Sequence, residues 1–173
     1  MLKDNEIELD NQLNLAGYDL VDPVFIYLAN ARDLTYEQAV SSTMSSWPPL
    51  ATQIEVWAKG GIGSDRIAIM ERCQKPKTSL LGRSADVPAG TSFVAIDEDI
   101  AMIHAIEVSP DARRKGVGRN LIQGAATWCV QKGAKWLCLA VTQSNGPAND
   151  LYRSLKMTEA CSYHYRRAQS VNL

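Results

Sequence analysis

The order of patterns between Ile100 and Val141 narrows the possible folds more than any other feature. A nearly unbroken apolar run, Ile100 to Val108, meets a basic stretch with two glycines, and that stretch opens an amphipathic segment. Val117, Leu121, Ile122, Ala125 and Trp128 fall on one helical stripe, and Lys132-Gly133 supplies the cation and the glycine that close helices. Trp136 to Val141 is a second apolar run. Strand, helix and strand in that order predict a crossover with parallel strands and a right-handed connection. The first strand is apolar on both faces, as a central strand is.

The turn inside this unit points to an anion. Gly116 and Gly118 have no Cβ, so their backbone can approach a ligand closely. The amides of Arg114 to Gly118 are expected to lie unpaired at the helix N-terminus, where the helix dipole places about half a positive elementary charge. Arg113, Arg114, Lys115 and Arg119 bring four cations into seven residues. A basic run alone is most often a solvated turn. Its position between a buried strand and a helix favours a site for phosphate.

Val108-x-Pro110-x-x-Arg113-x-x-Gly116-x-Gly118 resembles the acyl-CoA signature of the GNAT-type N-acetyltransferases. Downstream, Val141 and then Asn145-x-x-Ala148-x-x-Leu151-Tyr152-x-x-Leu155 resemble that family's second motif. The resemblance covers about Lys77 to Arg167. It departs at Lys156-Met157, where the family usually has Gly-Phe, which leaves open how that helix ends. The resemblance implies an α/β (α+β) fold: a mixed, mostly antiparallel central sheet with one splayed parallel strand pair and helices on both faces. It implies acetyl-CoA as cofactor, held by Ile106, Val108, Arg113, Arg114, Lys115, Gly116, Val117, Gly118, Arg119, Asn145 and Tyr152. It implies an N-acetyltransferase in which Tyr152 is the general acid for the leaving thiolate. A non-catalytic acyl-CoA-binding module is the alternative. A P-loop is not supported, because Gly-Lys-Ser/Thr and a Walker-type aspartate are missing.

The attacking amine must lose a proton. The central strand holds two ionisable groups, His104 and Glu107. Histidine titrates near neutrality, and a carboxylate can act through a water. Odd spacing sets the two on opposite faces of a regular strand, so only one can face the acceptor unless a bulge intervenes. His104 is slightly favoured, and it equally fits a structural histidine.

The rest of the chain fits around this unit. Asp4 to Ala16 reads as a helix with Ile7, Leu9, Leu13 and Leu15 as its apolar residues and Gly17 as its cap. Tyr18 to Ala29 reads as a strand in which Pro23 implies an edge or a bulge. By resemblance to the closing segment of a GNAT-type domain, residues 1–34 are a possible remnant of a degenerate first half, and 35–173 the acetyltransferase domain. An ordinary helix–strand pair fits residues 1–34 as well. Leu34 to Ser46 reads as weakly helical, with Thr35-x-x-Gln38 as a capping box. Leu50, Ile54, Trp57 and Ala58 predict an amphipathic helix ended by Gly60-Gly61. A further helix starts at Ser64 or Asp65, with Ile67, Met70 and Cys73 inward. Trp47 and Trp57 are candidates for the acceptor wall, though tryptophans at helical spacing more often build core.

Thr78 to Ser84 and Thr91 to Asp97 read as a hairpin joined at Asp86 to Gly90. Ser144 or Asn145 caps a helix that tolerates Pro147 in its first turn, and Met157 to Arg167 is a last strand. The chain has 173 residues, 46% hydrophobic and 21% charged, which suits one domain with a real core. A net charge of −1 gives no field favouring nucleic acid or an anionic membrane. No apolar run reaches membrane-spanning length, and the charged start is unlike a signal peptide. The four cysteines have neither metal nor redox spacing and read as reduced thiols. The expectation is a cytoplasmic protein with a small-molecule or peptide amine acceptor, no metal, and a possible homodimer.

Overall fold

The computed structural model describes residues 1–36 and 42–169. They divide into two compact units: Ala29–Cys138, and Met1–Leu28 together with Leu139–Leu173.

The larger unit carries β3 (Thr43–Ser46), β4 (Lys77–Ser84), β5 (Val87–Asp97), β6 (Ile100–Val108) and the first residues of β7 (Trp136–Thr142). Its strand order is β7-β6-β5-β4-β3. The pairs β3–β4, β4–β5 and β5–β6 are antiparallel, and β6–β7 is parallel. The helices are α2 (Ala31–Leu34), α3 (Ala51–Lys59), α4 (Ser64–Arg72) and α5 (Val117–Gln131). Alternation along β5 sorts them onto two faces. Phe93 packs with Trp57 of α3 and Met70 of α4. Gly90, of opposite parity, faces α5, where an added Cβ would stand 2.9 Å from Val117 and 3.2 Å from Leu121. Helices therefore cover both faces of this sheet. The predicted stripe of α5 is its buried side: Val117, Leu121, Ile122, Ala125 and Trp128 are all at or below 9% exposure. Each large apolar side chain removed from water contributes about 1.5–3 kcal/mol.

Three readings change here, and a fourth falls outside the described residues. Thr43–Ser46 is a strand, not helix, because it ladders onto Gly82 to Ser79 of β4. The expected capping box at Gln38 lies outside the described residues. The buried face of α3 is Gln53, Val56 and Trp57, while Leu50 and Ile54 are exposed. Gln53 tolerates full burial because its Oε1 accepts from Leu50 N, Ser46 Oγ and Ser79 Oγ. The hairpin turns earlier than expected, at Ala85 and Asp86, both with positive φ, as a two-residue primed turn requires.

The smaller unit carries β1 (Leu2–Lys3), α1 (Ile7–Leu15), most of β2 (Asp19–Asn30), the end of β7, α6 (Gly146–Ser154) and β8 (Thr158–Arg167). Its strand order is β1-β8-β2-β7, with β8 antiparallel to β1 and β2. Pro23 sits in a bulge, beside Asp22 at φ 48°, and β2 runs inside the sheet rather than at its edge. The apolar residues of α1 do not form its buried face: Ile7 is 65% and Leu15 88% exposed. Charge holds the helix instead. Asp10 accepts from Arg166 Nε at 2.7 Å and sits 2.6 Å from His164 Nε2, and these two partners hold its carboxyl well below the usual range.

At the end of α6, Lys156 takes the left-handed conformation, φ 59°, that glycine usually supplies. Met157 N–H then donates to Tyr152 O and the Met157 side chain is buried. The helix closes as the glycine version would, at a cost of roughly 1 kcal/mol.

Candidate functional site

In the larger unit, β6 and β7 pair over only three residues, Ile100 to Met102 with Trp136 to Cys138. Along Ile103 to Val108, β6 keeps its ladder with β5, and a bulge interrupts it. Thr91 pairs with Glu107 and Phe93 with His104, so two steps on β5 face three on β6. Ala105 takes φ 49° at this point. Its carbonyl accepts the indole N–H of the fully buried Trp57 at 2.8 Å.

The bulge changes the placement of the two candidate bases. Thr91 and Phe93 lie on one face of β5, and directly paired residues share a face. His104 and Glu107 therefore lie on the same face, the α3–α4 face, and not on opposite ones. Glu107 packs where Gly60 closes α3: a Cβ on Gly60 would stand 2.4 Å from Glu107 Cδ. His104 is exposed on this face. Its imidazole is nevertheless held below the ordinary histidine pKa, first by loss of solvent around the ring and second by the Arg66 guanidinium of α4.

Past Val108, a 3-10 turn (Pro110–Ala112) leads to α5. Arg114 and Gly116 are both left-handed, at φ 63° and 82°. The amides of Arg114 through Gly118 make no hydrogen bond among the described residues, since the first donor in α5 is Asn120 to Gly116 O. Successive N–H groups about left-handed residues at a helix N-terminus form a concave anion-binding nest. Arg114, Lys115 and Gly116 are exposed, and Val117 is buried as the helix's first anchor. Arg113 is committed elsewhere. Its Nε donates to Val108 O at 3.3 Å, and its Nη2 lies 3.6 Å from Glu107 Oε1. A cavity of about 680 Å³ adjoins the nest, walled by Lys59, Gly60, Glu107, Arg113, Lys115 and the β4–β5 turn.

In the smaller unit, Asn145 caps α6, its Oδ1 accepting from Ala148 N. Tyr152 is 6% exposed and its hydroxyl makes no hydrogen bond among the described residues. Burial first, and the neighbouring Tyr27 second, push its pKa up to about 12. It stays protonated throughout the neutral range.

Two supports of this region were not visible in the sequence. The Trp57 donor to the bulge is a contact across 48 residues, and Trp57 itself, fully buried, offers no surface to a substrate. Asn149 is 2% exposed, and its amide donates to the carbonyls of Thr142, Gln143 and Asn145. An asparagine inside a helix is the one signal that could have marked it. Of the thiols, Cys129 is buried, with its pKa pushed up to about 12 by burial, and Cys161 is exposed.

A mixed sheet with helices on both faces, a parallel pair that ends after three residues and an amide nest at the following helix define a mixed α/β class of fold. The chain belongs to the acetyltransferase (GNAT) family, whose model matches residues 42–157. It is 40% identical over 67 residues to streptothricin acetyltransferase of Streptomyces lavendulae, covering 39% of this chain and 35% of that protein. It is 36% identical over 69 residues to a putative [ribosomal protein bS18]-alanine N-acetyltransferase of Bacillus subtilis, covering 40% of this chain and 46% of that one. The chain thus spans less than half the length of these curated relatives. A crystal structure of a GCN5-related N-acetyltransferase from Sphaerobacter thermophilus superposes with a TM-score of 0.68 at 13% identity, over 99% of this chain and 60% of that one. No helix among the described residues is long and apolar enough to cross a membrane.

Proposed function

We propose that this chain transfers an acetyl group from acetyl-CoA to an amine by direct attack. The observation that carries the proposal is the nest of amides, Arg114 to Gly118, unpaired among the described residues, which fits the pyrophosphate of coenzyme A. Bound acetyl-CoA supplies an activated acyl thioester. Arg114, Lys115 and Arg119 add charge around the nest, and Gly116, Val117 and Gly118 offer backbone only. The β6 backbone at Ile106 to Val108 polarises the acyl carbonyl, a role worth about 3 kcal/mol for a well-aimed amide. Asn145 contacts the cofactor while capping α6.

Tyr152 holds the proton that the departing sulfur needs, and its raised pKa and a hydroxyl without a hydrogen bond among the described residues support that assignment. His104 or Glu107 takes the proton of the attacking amine, directly or through a water. The carbon–nitrogen bond forms as the carbon–sulfur bond breaks, so one proton leaves the amine and one reaches the thiol. The acceptor is a small-molecule or peptide amine. We read residues 1–34 as the remnant of a degenerate first half, supported by their helix–strand order.

The competing reading is an acyl-CoA-binding module without turnover, which the departure at Lys156-Met157 and a truncated first half would favour. That departure is absorbed by the left-handed Lys156, which keeps Tyr152 on a normally closed helix.

The base is tested by pH. His104 is depressed, so its neutral form persists below the usual histidine midpoint. The rate is expected to rise with pH along one ionisation at or below that midpoint. His104→Gln should remove the rising limb while Glu107→Gln lowers the plateau only. A limb that survives His104→Gln and disappears in Glu107→Gln assigns the base to the carboxylate. A limb unchanged in both variants contradicts a protein base.

A further inference from the structure

We propose that Tyr27, on the N-terminal strand β2, is a positioning residue for Tyr152. The inference rests on the reading of Tyr152 as the proton donor, and everything it uses lies inside the smaller unit. Tyr27 is completely buried. Its ring centroid lies 5.4 Å from that of Tyr152, tilted at 55°, within the range of favourable aromatic pairs. Its hydroxyl proton is shared between Glu159 Oε1 at 2.9 Å and Asn149 Oδ1 at 3.2 Å. Glu159 is itself fixed by Arg153 Nη2 at 3.0 Å.

Tyr27 therefore grips α6 at two points. Asn149 and Tyr152 are three residues apart and share a helix face. The ring of Tyr27 holds one, and its hydroxyl holds the other. Asn149 passes the constraint on through its amide, which donates to Asn145 O at 2.8 Å, Thr142 O at 3.1 Å and Gln143 O at 3.3 Å. The end of β7, the start of α6 and the Tyr152 ring are thus set by one buried phenol. Among the described residues the Tyr152 hydroxyl has no hydrogen-bond partner, so there its packing aims it. A proton donor aimed by packing is sensitive to small rolls of its helix, and displacements on the order of 1 Å cost up to about 100-fold in rate. The cation Arg153 and the carboxylates Asp150 and Glu159 are the charged groups near Tyr27.

A double-mutant cycle tests this. Tyr27→Phe removes one oxygen and keeps the ring. It is expected to lower kcat about tenfold, with KM for acetyl-CoA within about twofold. In a Tyr152→Phe background the same change is expected to cost nothing further, because the group it positions is gone. An equal loss in both backgrounds, or an effect on KM and thermal stability alone, overturns the positioning role. Normal turnover in Tyr152→Phe by itself overturns the proton-donor reading, and the positioning role falls with it. Those two failures are told apart by the single variants. If Tyr27→Phe lowers the melting temperature, Glu159→Gln is measured in its place. It keeps an acceptor for the Tyr27 hydroxyl but removes the charge that anchors it, and the same loss confined to the Tyr152 background is expected.

Discussion

Tyr152→Phe is expected to bind acetyl-CoA almost as the parent chain does and to turn over at least about 100-fold more slowly. The substitution deletes one oxygen from a side chain whose ring is packed against Tyr27, so the fold should hardly respond. The lost hydroxyl makes no hydrogen bond among the described residues, so no protein group is left unpaired by its removal. The ground state loses little for the same reason. The transition state loses the proton that neutralises the departing thiolate. An interaction made only there lowers kcat and kcat/KM together and leaves binding intact. A 100-fold loss corresponds to about 3 kcal/mol of activation free energy. Titration with acetyl-CoA and steady-state kinetics on one preparation separate the two quantities. Equal turnover in both proteins removes Tyr152 from the chemistry.

Gly116→Val is expected to abolish acyl-CoA binding without unfolding the chain. A Cβ at Gly116 meets no atom of the described residues within 4 Å, so the side chain does not collide with them. The cost in the free protein is the left-handed backbone, φ 82°, which a β-branched residue adopts at roughly 1–2 kcal/mol. The bound state pays far more, because the added methyls stand beside the amides of Arg114 to Gly118 that a pyrophosphate must reach. Acetyl-CoA at about 100 times its Kd stabilises the parent by about 2.7 kcal/mol, a rise of roughly 5–10 °C in a domain of this size. The variant should melt slightly lower than the parent and show no such rise. A near-normal rise in Gly116→Val places the phosphate site elsewhere.

The parts of the fold that were legible in the sequence are those set by local pattern. The crossover from Ile100 to Val141 announced itself because its strands are nearly continuous apolar runs and its helix has a clean 3.6-residue stripe. The caps at Asn145, Gly133 and Gly17 were legible because each answers a local backbone need. What escaped depends on distant partners. Thr43–Ser46 has no strand periodicity and becomes a strand only by pairing with β4. The buried face of α3 was misplaced because Gln53 is polar, and its burial is permitted by Leu50, Ser46 and Ser79 rather than by its own chemistry. The exposed apolar residues of α1 misled in the opposite sense, since Asp10 ties that helix to Arg166 by an ion pair and to His164 by a hydrogen bond.

The candidate site divides the same way. The cradle residues lie in one contiguous motif, and their local backbone could be anticipated from two glycines. The relation of His104 to Glu107 could not. A count of residues along β6 sets them on opposite faces, and one left-handed residue, Ala105, returns them to the same face. The indole of Trp57 satisfies the carbonyl that this bulge frees, 48 residues away in the chain. Register of this kind is a tertiary property, invisible to periodicity.

The most direct test of the account is thiol release from acetyl-CoA by the purified chain in the presence of a panel of amines, with the acceptors analysed by mass spectrometry. The account predicts thiol release that depends on a particular amine, with one acetyl group gained by that amine for each thiol freed. Tight binding of acetyl-CoA with no amine-dependent thiol release across small-molecule, amino-acid and peptide acceptors would contradict it.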